Sequence, residues 1–235
     1  ENVAAEYGVS RADQDAFAAS SHQKAAAAWE AGAFADEVIP VTVPPAHRKA
    51  QPTTVERDEC IRPDSTAEAL AKLRPVFKED GSVTAGNSSP LNDGAAVVLM
   101  TTRRWAEENG AKPIARFLGS ASAGVHPNVM GIGPIPSTRK VLGRLGLSAA
   151  DLDVVELNEA FAAQSLACVR ELEFDPAKVN VLGGAIALGH PIGCSGARIV
   201  GTLMNAMRRQ DATLGLATLC IGVGQGLAAV FERES

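Results

Sequence analysis

The sequence has no apolar run long enough to span a bilayer, no secretion signal, no paired-cysteine motif and no excess of basic residues. Its most apolar stretch, 216–231, is interrupted by Gly222, Gly224, Gln225 and Gly226 and is shorter than the roughly 20 residues a spanning helix needs. The opening residues show neither a basic start nor an apolar core, so no signal peptide is read there. The missing initiator Met fits a processed, truncated or purpose-built product without separating them. Cys60, Cys168, Cys194 and Cys220 show no CxxC spacing, and His22, His47, His126 and His190 are scattered. That excludes a zinc-finger pattern, and no metal is expected. Counting leaves two disulfides open, but a reduced, cytoplasmic setting is the simpler reading. With a net charge of −5 there is no cationic surplus to displace counterions from phosphates. Neither nucleic acid nor membrane is expected as a partner, while a local basic pocket for one phosphorylated small molecule remains open.

What is present is an ordinary globular balance. The 235 residues are 46% hydrophobic and 21% charged, enough for one large domain or two small ones. Ser10 followed by Asp13 resembles a capping box with Asp in place of Glu, and opens an Ala-rich helix through Trp29 that stops at Gly32. A short strand is expected over 37–43, halted by Pro44 and Pro45, then a polar, irregular stretch over 46–66. Residues 1–75 read as a mixed, loop-rich subdomain. Residues 95–100 look like a buried strand, though no preceding strand is visible to pair with it.

From residue 103 the pattern becomes regular. Strands are expected over 113–123, 153–157 and 179–182, with helices over 137–145, 159–172 and 195–209. Two further strands, 214–220 and 227–232, are joined by a tight turn and should be antiparallel. Alternating strands and helices predict a three-layer α/β/α domain with a mixed, mostly parallel sheet.

Three clusters close predicted strands, where open α/β sheets place their sites. The first is Asn158-Glu159-Ala160-Phe161, whose asparagine taken alone is a helix cap before anything else. The second runs from Gly183 to Gly196 and presents His190 before Pro191. That proline biases the histidine to an extended conformation, suited to proton transfer near neutral pH. A packed histidine in a Gly-rich connection is an equal reading. The third is Cys220 followed by Gly222, Gly224 and Gly226. It is either a small buried hydrophobe or a thiol acid/base beside backbone N–H donors. A dinucleotide loop fails on context, because a strand follows where a helix must start.

Together and in this order, NEAF, GGAIALGHPIGCSGAR and CIGVGQG resemble the C-terminal half of thiolases. TAGNSSPLNDGAA, VMGIGPIPSTRK and the opening helical residues extend the likeness over essentially the whole chain. The resemblance implies a thiolase fold whose N-terminal core domain is largely absent. Residues 76–102 would be the terminal piece of that domain and 103–235 the C-terminal domain. It implies an acyltransferase of fatty-acid metabolism or β-oxidation, cleaving 3-oxoacyl-CoA or condensing acyl-CoAs, with coenzyme A as substrate and no cofactor. His190 would activate a cysteine and help hold a thioester oxygen, and Cys220 would move a proton at the α-carbon. Asn158 would hold a water for one oxyanion hole, and the Gly222 N–H would serve a second.

Coenzyme A contacts would come from Arg62 at the nucleotide end and Ser89 at the pantetheine arm, with Met130 and Phe161 lining the tunnel. Surface, turn and core roles are the plain alternatives for these four. Pro90 stands where the family more often has Gly. Val223 also replaces a commoner Gly and hints at thiolases acting on 3-oxoadipyl-CoA. None of the four cysteines matches the family nucleophile motif, so the acyl-accepting cysteine is expected to precede Glu1 and the chain alone to be inactive. A homodimer or homotetramer is expected of the complete protein. The competing expectation is a non-catalytic, coenzyme A-binding half or one complemented by another chain.

Overall fold

The computed structural model describes residues 1–45, 47 and 49–234. Helix α1 (Asn2–Glu6) leads into α2 (Arg11–Glu30), whose first turn is closed by Ser10 Oγ accepting from the Asp13 N–H. The Asp13 carboxylate turns instead to Arg170 at 2.8 Å. α2 buries polar as well as small residues, among them Gln14, Asp15, Ser21 and His22. Each buried polar group needs a partner to offset its desolvation. Asp15 finds Arg11 and Asn87, and Gln14 donates to Ser82 and the Val9 carbonyl.

Of the strand expected over 37–43, only β1 (Val41–Val43) forms, paired antiparallel with β2 (Thr53–Val55). Glu37 is drawn away, because its carboxylate accepts from Thr202 and Asn205. β2 lies inside the stretch expected to be irregular, whose first residue, Ala46, falls outside the described residues. α3 (Ala67–Leu70) is capped by Thr66, and α4 (Arg103–Glu108) by Thr102. The buried strand expected over 95–100 is absent. Nothing pairs with that segment among the described residues, and Val97 and Leu99 are 95% and 80% exposed. An unpaired strand has no ladder to stabilise it.

The remainder forms the layered domain. β3 (Ala115–Gly124) leads through a 3₁₀ turn (Pro127–Ile132) to α5 (Pro134–Leu145), which Gly146 ends in the left-handed region at φ 68°. β4 (Val154–Leu157), α6 (Ala162–Glu171), α7 (Ala185–Leu188), α8 (Ser195–Arg209), β5 (Leu214–Ile221) and β6 (Gln225–Arg233) follow. The sheet order is β3-β6-β5-β4. It is mixed, but only β4 with β5 is parallel, while β6 runs antiparallel to both its neighbours. The sequence pattern overstates the parallel share because the expected strand over 179–182 does not form. Val179 makes one isolated parallel bridge to Val155. Asn180 then takes φ 45°, and its side-chain amide bonds both the N–H and the carbonyl of Leu157. The amide stands in for a neighbouring strand.

Helices α5 and α6 cover one face around Val155, Leu157, Leu216 and Val230. α8 covers the other with Ile199, Leu203 and Met207 against Val154 and Phe231. Each such fully buried side chain contributes roughly 1.5–3 kcal/mol of transfer free energy. The three layers expected are therefore present. At the end of the sheet Gly226 lies against the backbone of Gly133, where a Cβ would fall 2.0 Å from the Gly133 carbonyl carbon. Only two glycines permit that approach.

Candidate active site

Asn158 follows β4 directly, and its N–H donates to the Thr218 carbonyl at 3.0 Å. The helix expected to begin at 159 begins at Ala162 with Phe161 as its cap, so Asn158 does not cap it. Glu159 explains the displacement. Its buried carboxylate accepts from Ser21 Oγ at 2.6 Å, Asn180 Nδ2 at 2.8 Å and the Ile186 N–H at 3.1 Å. These bonds pin the 158–161 loop to α2 and α7 and leave the Asn158 side chain free to turn toward His190.

His190 stands on the loop between α7 and α8. Asn158 Nδ2 lies 3.3 Å from His190 Nε2, and His190 Nδ1 lies 2.6 Å from Ser195 Oγ. An amide nitrogen carries only protons, so the Nε2 facing it offers its lone pair. Nδ1 of the neutral ring then donates to Ser195 Oγ, whose own proton goes to the Pro191 carbonyl at 3.0 Å. Burial first, and the Arg198 charge second, hold the His190 pKa below its ordinary value. The ring is neutral near pH 7, with Nε2 as its basic atom.

Residues 87–92 form a strap between the two loops. Ser89 N–H and Oγ both donate to the Ala160 carbonyl, at 3.0 and 3.1 Å, and Ala162 N–H donates to Asn87. At the other end His190 N–H donates to Asn92 Oδ1 at 3.1 Å, and Asn92 Nδ2 donates to Cys60 Sγ at 3.2 Å. Gly189, at φ 100°, is needed there, since a Cβ would stand 2.5 Å from Asn92 Oδ1.

Cys220 lies near the end of β5, the strand parallel to β4, and is buried. Its sulfur makes no hydrogen bond to Asn158 or His190 among the described residues. Burial raises its pKa to about 11. Burial likewise pushes up the thiols of Cys168 and Cys194. Gly222 sits in the β5–β6 turn with open space beside its Cα. Next to it Val223 holds φ 69° while 84% exposed, a left-handed conformation rare for a β-branched residue.

Two cavities flank this centre. One, of about 430 Å³, is lined by Val3, Phe77, Lys78, Asn128, Met130 and Phe161, with Phe77 and Phe161 edge to face at 6.0 Å. The other, of about 470 Å³, is lined by residues including His22, Cys60, Arg62, Asp64, Ser88 and Pro90. Met130 and Phe161 thus share a cavity, and Arg62 lines the second. Ser89 lines neither, because its hydroxyl is turned to Ala160. Asn158, His190 and Cys220 line neither. Among the described residues no group of three or more His, Cys, Asp or Glu side chains is placed to hold a metal. No described helix is long and apolar enough to cross a membrane. Sequence reasoning missed Ser195 and Asn92. Ser195 could have been found from its place five residues after His190, at the start of a helix.

Residues 111–233 match the family model for the thiolase C-terminal domain, and residues 1–104 that for the thiolase N-terminal domain. The chain belongs to the thiolase family. The match to the N-terminal thiolase domain includes both residues 1–75 and residues 76–102. An acetyl-CoA acetyltransferase of Pseudomonas aeruginosa is 56% identical over 234 residues, covering 100% of the chain and 59% of the relative. A beta-ketoadipyl-CoA thiolase of Pseudomonas putida is 56% identical over 235 residues, covering 99% and 58%. The crystal structure of the Bacillus anthracis acetyl-CoA acetyltransferase superposes with a TM-score of 0.96 at 46% identity, covering 99% of this chain and 58% of that one. Human mitochondrial 3-ketoacyl-CoA thiolase gives 0.92 at 42%, covering 100% and 58%. The chain spans about 59% of the length of the first curated relatives it matches.

Proposed function

We propose that this thiolase chain carries the proton-transfer and oxyanion part of an acyltransferase site that cleaves 3-oxoacyl-CoA with coenzyme A, or runs the reverse condensation. The observation that carries the reading is the Asn158–His190 contact, with a neutral imidazole fixed through Ser195 and its backbone N–H held by Asn92. His190 Nε2 takes the proton of a cysteine thiol, and the thiolate attacks the 3-oxo carbon. The bond between C2 and C3 breaks, and its electron pair passes to C2 as an enolate. Cys220, protonated at neutral pH, gives C2 a proton. Coenzyme A gives its thiol proton to the Cys220 thiolate and attacks the enzyme thioester, and the released cysteine thiolate takes back the proton held by His190. Asn158 Oδ1 is buried and makes no hydrogen bond among the described residues. That suits a water bridging it to the thioester oxygen, opposite a protonated His190. The Gly222 N–H serves the other oxyanion position.

The acyl-accepting thiol is none of the four cysteines of this chain. A nucleophilic cysteine needs a thiolate favoured by its surroundings, whereas those of Cys168, Cys194 and Cys220 disfavour it. Cys60 lies in the second cavity and its sulfur accepts from Asn92, and it is set aside because the residues around it do not match the family's nucleophile motif. The same facts fit a second reading, a coenzyme A-binding half completed by another polypeptide. Met130 and Phe161 line the acyl-pantetheine path and Arg62 the nucleotide end. Relatives named for acetyl transfer and for beta-ketoadipyl-CoA match equally at 56%. Identity therefore supports the reaction class and leaves the acyl group unchosen.

The test is incubation with [¹⁴C]acetyl-CoA followed by peptide mapping. No stoichiometric label on Cys60, Cys168, Cys194 or Cys220 is expected, and label on any of them overturns the assignment of the nucleophile. In protein that carries the acyl-accepting thiol, His190→Ala should lower kcat by about 100-fold or more. Unchanged turnover would remove His190 from the reaction.

A further inference from the structure

The cavity of about 430 Å³ has an apolar wall built from Val3, Phe77, Val83, Met130 and Phe161. Among the described residues only two charged ones, Glu1 and Lys78, line it. The Glu1 carboxylate is held by the turn at 82–83, accepting from the N–H groups of Ser82 at 2.9 Å and Val83 at 2.8 Å. Lys78 forms no ion pair among the described residues. Asn128 lines the same cavity. Its carbonyl accepts from Asn2 and its N–H donates to His126, while its side-chain amide makes no hydrogen bond among the described residues. A cation and an amide without protein partners, beside an apolar wall, suit a ligand with a long apolar body and an anionic end. Burying a carboxylate without a partner costs far more than burying a methyl group, so a cation at this wall decides which acyl end is accepted.

We propose that the chain selects acyl groups that end in a carboxylate, with Lys78 binding that carboxylate and Asn128 as a second donor. This rests on the reading of the cavity as the acyl path and chooses the acyl group which that reading leaves open. Phe161, three residues beyond Asn158, joins the cavity to the proton-transfer site. An acyl chain whose thioester lies by Asn158 runs past Phe161 and Phe77, which meet edge to face at 6.0 Å, and ends at Lys78. The apolar wall takes the methylene groups, and Lys78 takes the charge. The phosphates of coenzyme A do not compete for it, because the nucleotide end is assigned to the other cavity with Arg62.

The experiment is isothermal titration of the purified chain with adipyl-pantetheine, whose acyl group ends in a carboxylate, and with heptanoyl-pantetheine, whose acyl group ends in a methyl. Neither carries a phosphate, so any effect of charge comes from the acyl carboxylate. Lys78→Met keeps an unbranched side chain and deletes its charge. It should weaken adipyl-pantetheine binding about five-fold or more and leave heptanoyl-pantetheine binding within about two-fold. Lys78→Arg should keep the adipyl affinity within about two-fold. Lys78 is exposed, so both variants should melt with the parent chain. Equal effects of Lys78→Met on the two thioesters, no effect on either, or a parent chain that binds only the heptanoyl thioester would overturn the inference and leave the acyl-path reading intact. Failure of the parent chain to bind either thioester overturns both.

Discussion

Ser195 Oγ lies 2.6 Å from His190 Nδ1 and passes its own proton to the Pro191 carbonyl, so one buried hydroxyl fixes both the tautomer and the tilt of the imidazole. Ser195 is the first residue of α8, which places the ring at that helix's N-terminus. The positive end of the helix dipole opposes protonation of the ring, in the same direction as burial and Arg198.

Ser195→Ala should therefore release Nδ1. The bond is worth about 1–3 kcal/mol, which corresponds to a roughly 5- to 150-fold fall in kcat with KM little changed. On the isolated chain, ¹⁵N NMR of the histidine ring reads the same effect directly. Nδ1–H should predominate in the parent and give way to a tautomer mixture in the variant.

Histidine titration sets the acid side of stability. Both His22 and His190 have folded pKa values below the ordinary 6.5. Below pH 6.5 the unfolded chain then binds more protons than the folded one, so stability falls as pH drops through that window. It is fully retained above it. Urea melts between pH 7 and 5 should show this slope, and the His22→Gln,His190→Gln double variant should flatten it.

Glu156 makes the opposite contribution. Its side chain on β4 is buried, Oε1 has no partner among the described residues, and Arg198 Nη1 is 3.6 Å from Oε2, too far for a hydrogen bond. Burial outweighs the cation and raises the pKa to about 8. Between the unfolded value of 4.5 and 8 the folded state holds the extra proton, so this group's contribution falls as pH rises through that window. Glu156→Gln should change stability by less than about 1 kcal/mol at pH 6, because it replaces a neutral acid by a neutral amide. A loss of about 3–5 kcal/mol would mean an ionised pair with Arg198 had been broken. Thermal melts at pH 6 separate the two.

Val223→Gly should stabilise the chain by about 0.5–1 kcal/mol in urea. Relief of about 1–2 kcal/mol of left-handed strain exceeds the entropy cost of a glycine. Gly226→Ala should do the reverse, by about 2–4 kcal/mol, since its methyl group would meet the Gly133 backbone.

The exposed apolar run at Val97, Leu99 and Met100 should govern self-association. Val97→Lys with Leu99→Lys should lower the apparent mass in light scattering at a given concentration and leave the melting temperature unchanged, because neither side chain packs on the core.

The elements legible in the sequence were those whose signals are local. Ser10 and Gly32 bound α2, Gly146 ends α5, and the glycines after Cys220 close the β5–β6 hairpin. The misread ones were decided by distant partners. Residues 95–100 carry a strand's composition but no neighbour. Residues 179–182 lost their strand to the Asn180 side chain, and the start of α6 moved to Ala162 because Glu159 is held by α2 and Asn180. Family motifs drew attention to Asn158 and His190, and the place of Ser195 five residues on was a usable signal for the residue that holds the imidazole, but nothing in the spacing could reveal that Asn92 holds the His190 backbone N–H.

The most direct test of the account is a crystal structure of the chain with acetyl-CoA bound. The account predicts the thioester oxygen hydrogen-bonded, at about 3 Å, to a water held by Asn158 Oδ1 beside the His190 ring, with the nucleotide end beside Arg62. A thioester bound away from His190, with the Asn158–His190 contact undisturbed and facing no part of the ligand, would contradict it.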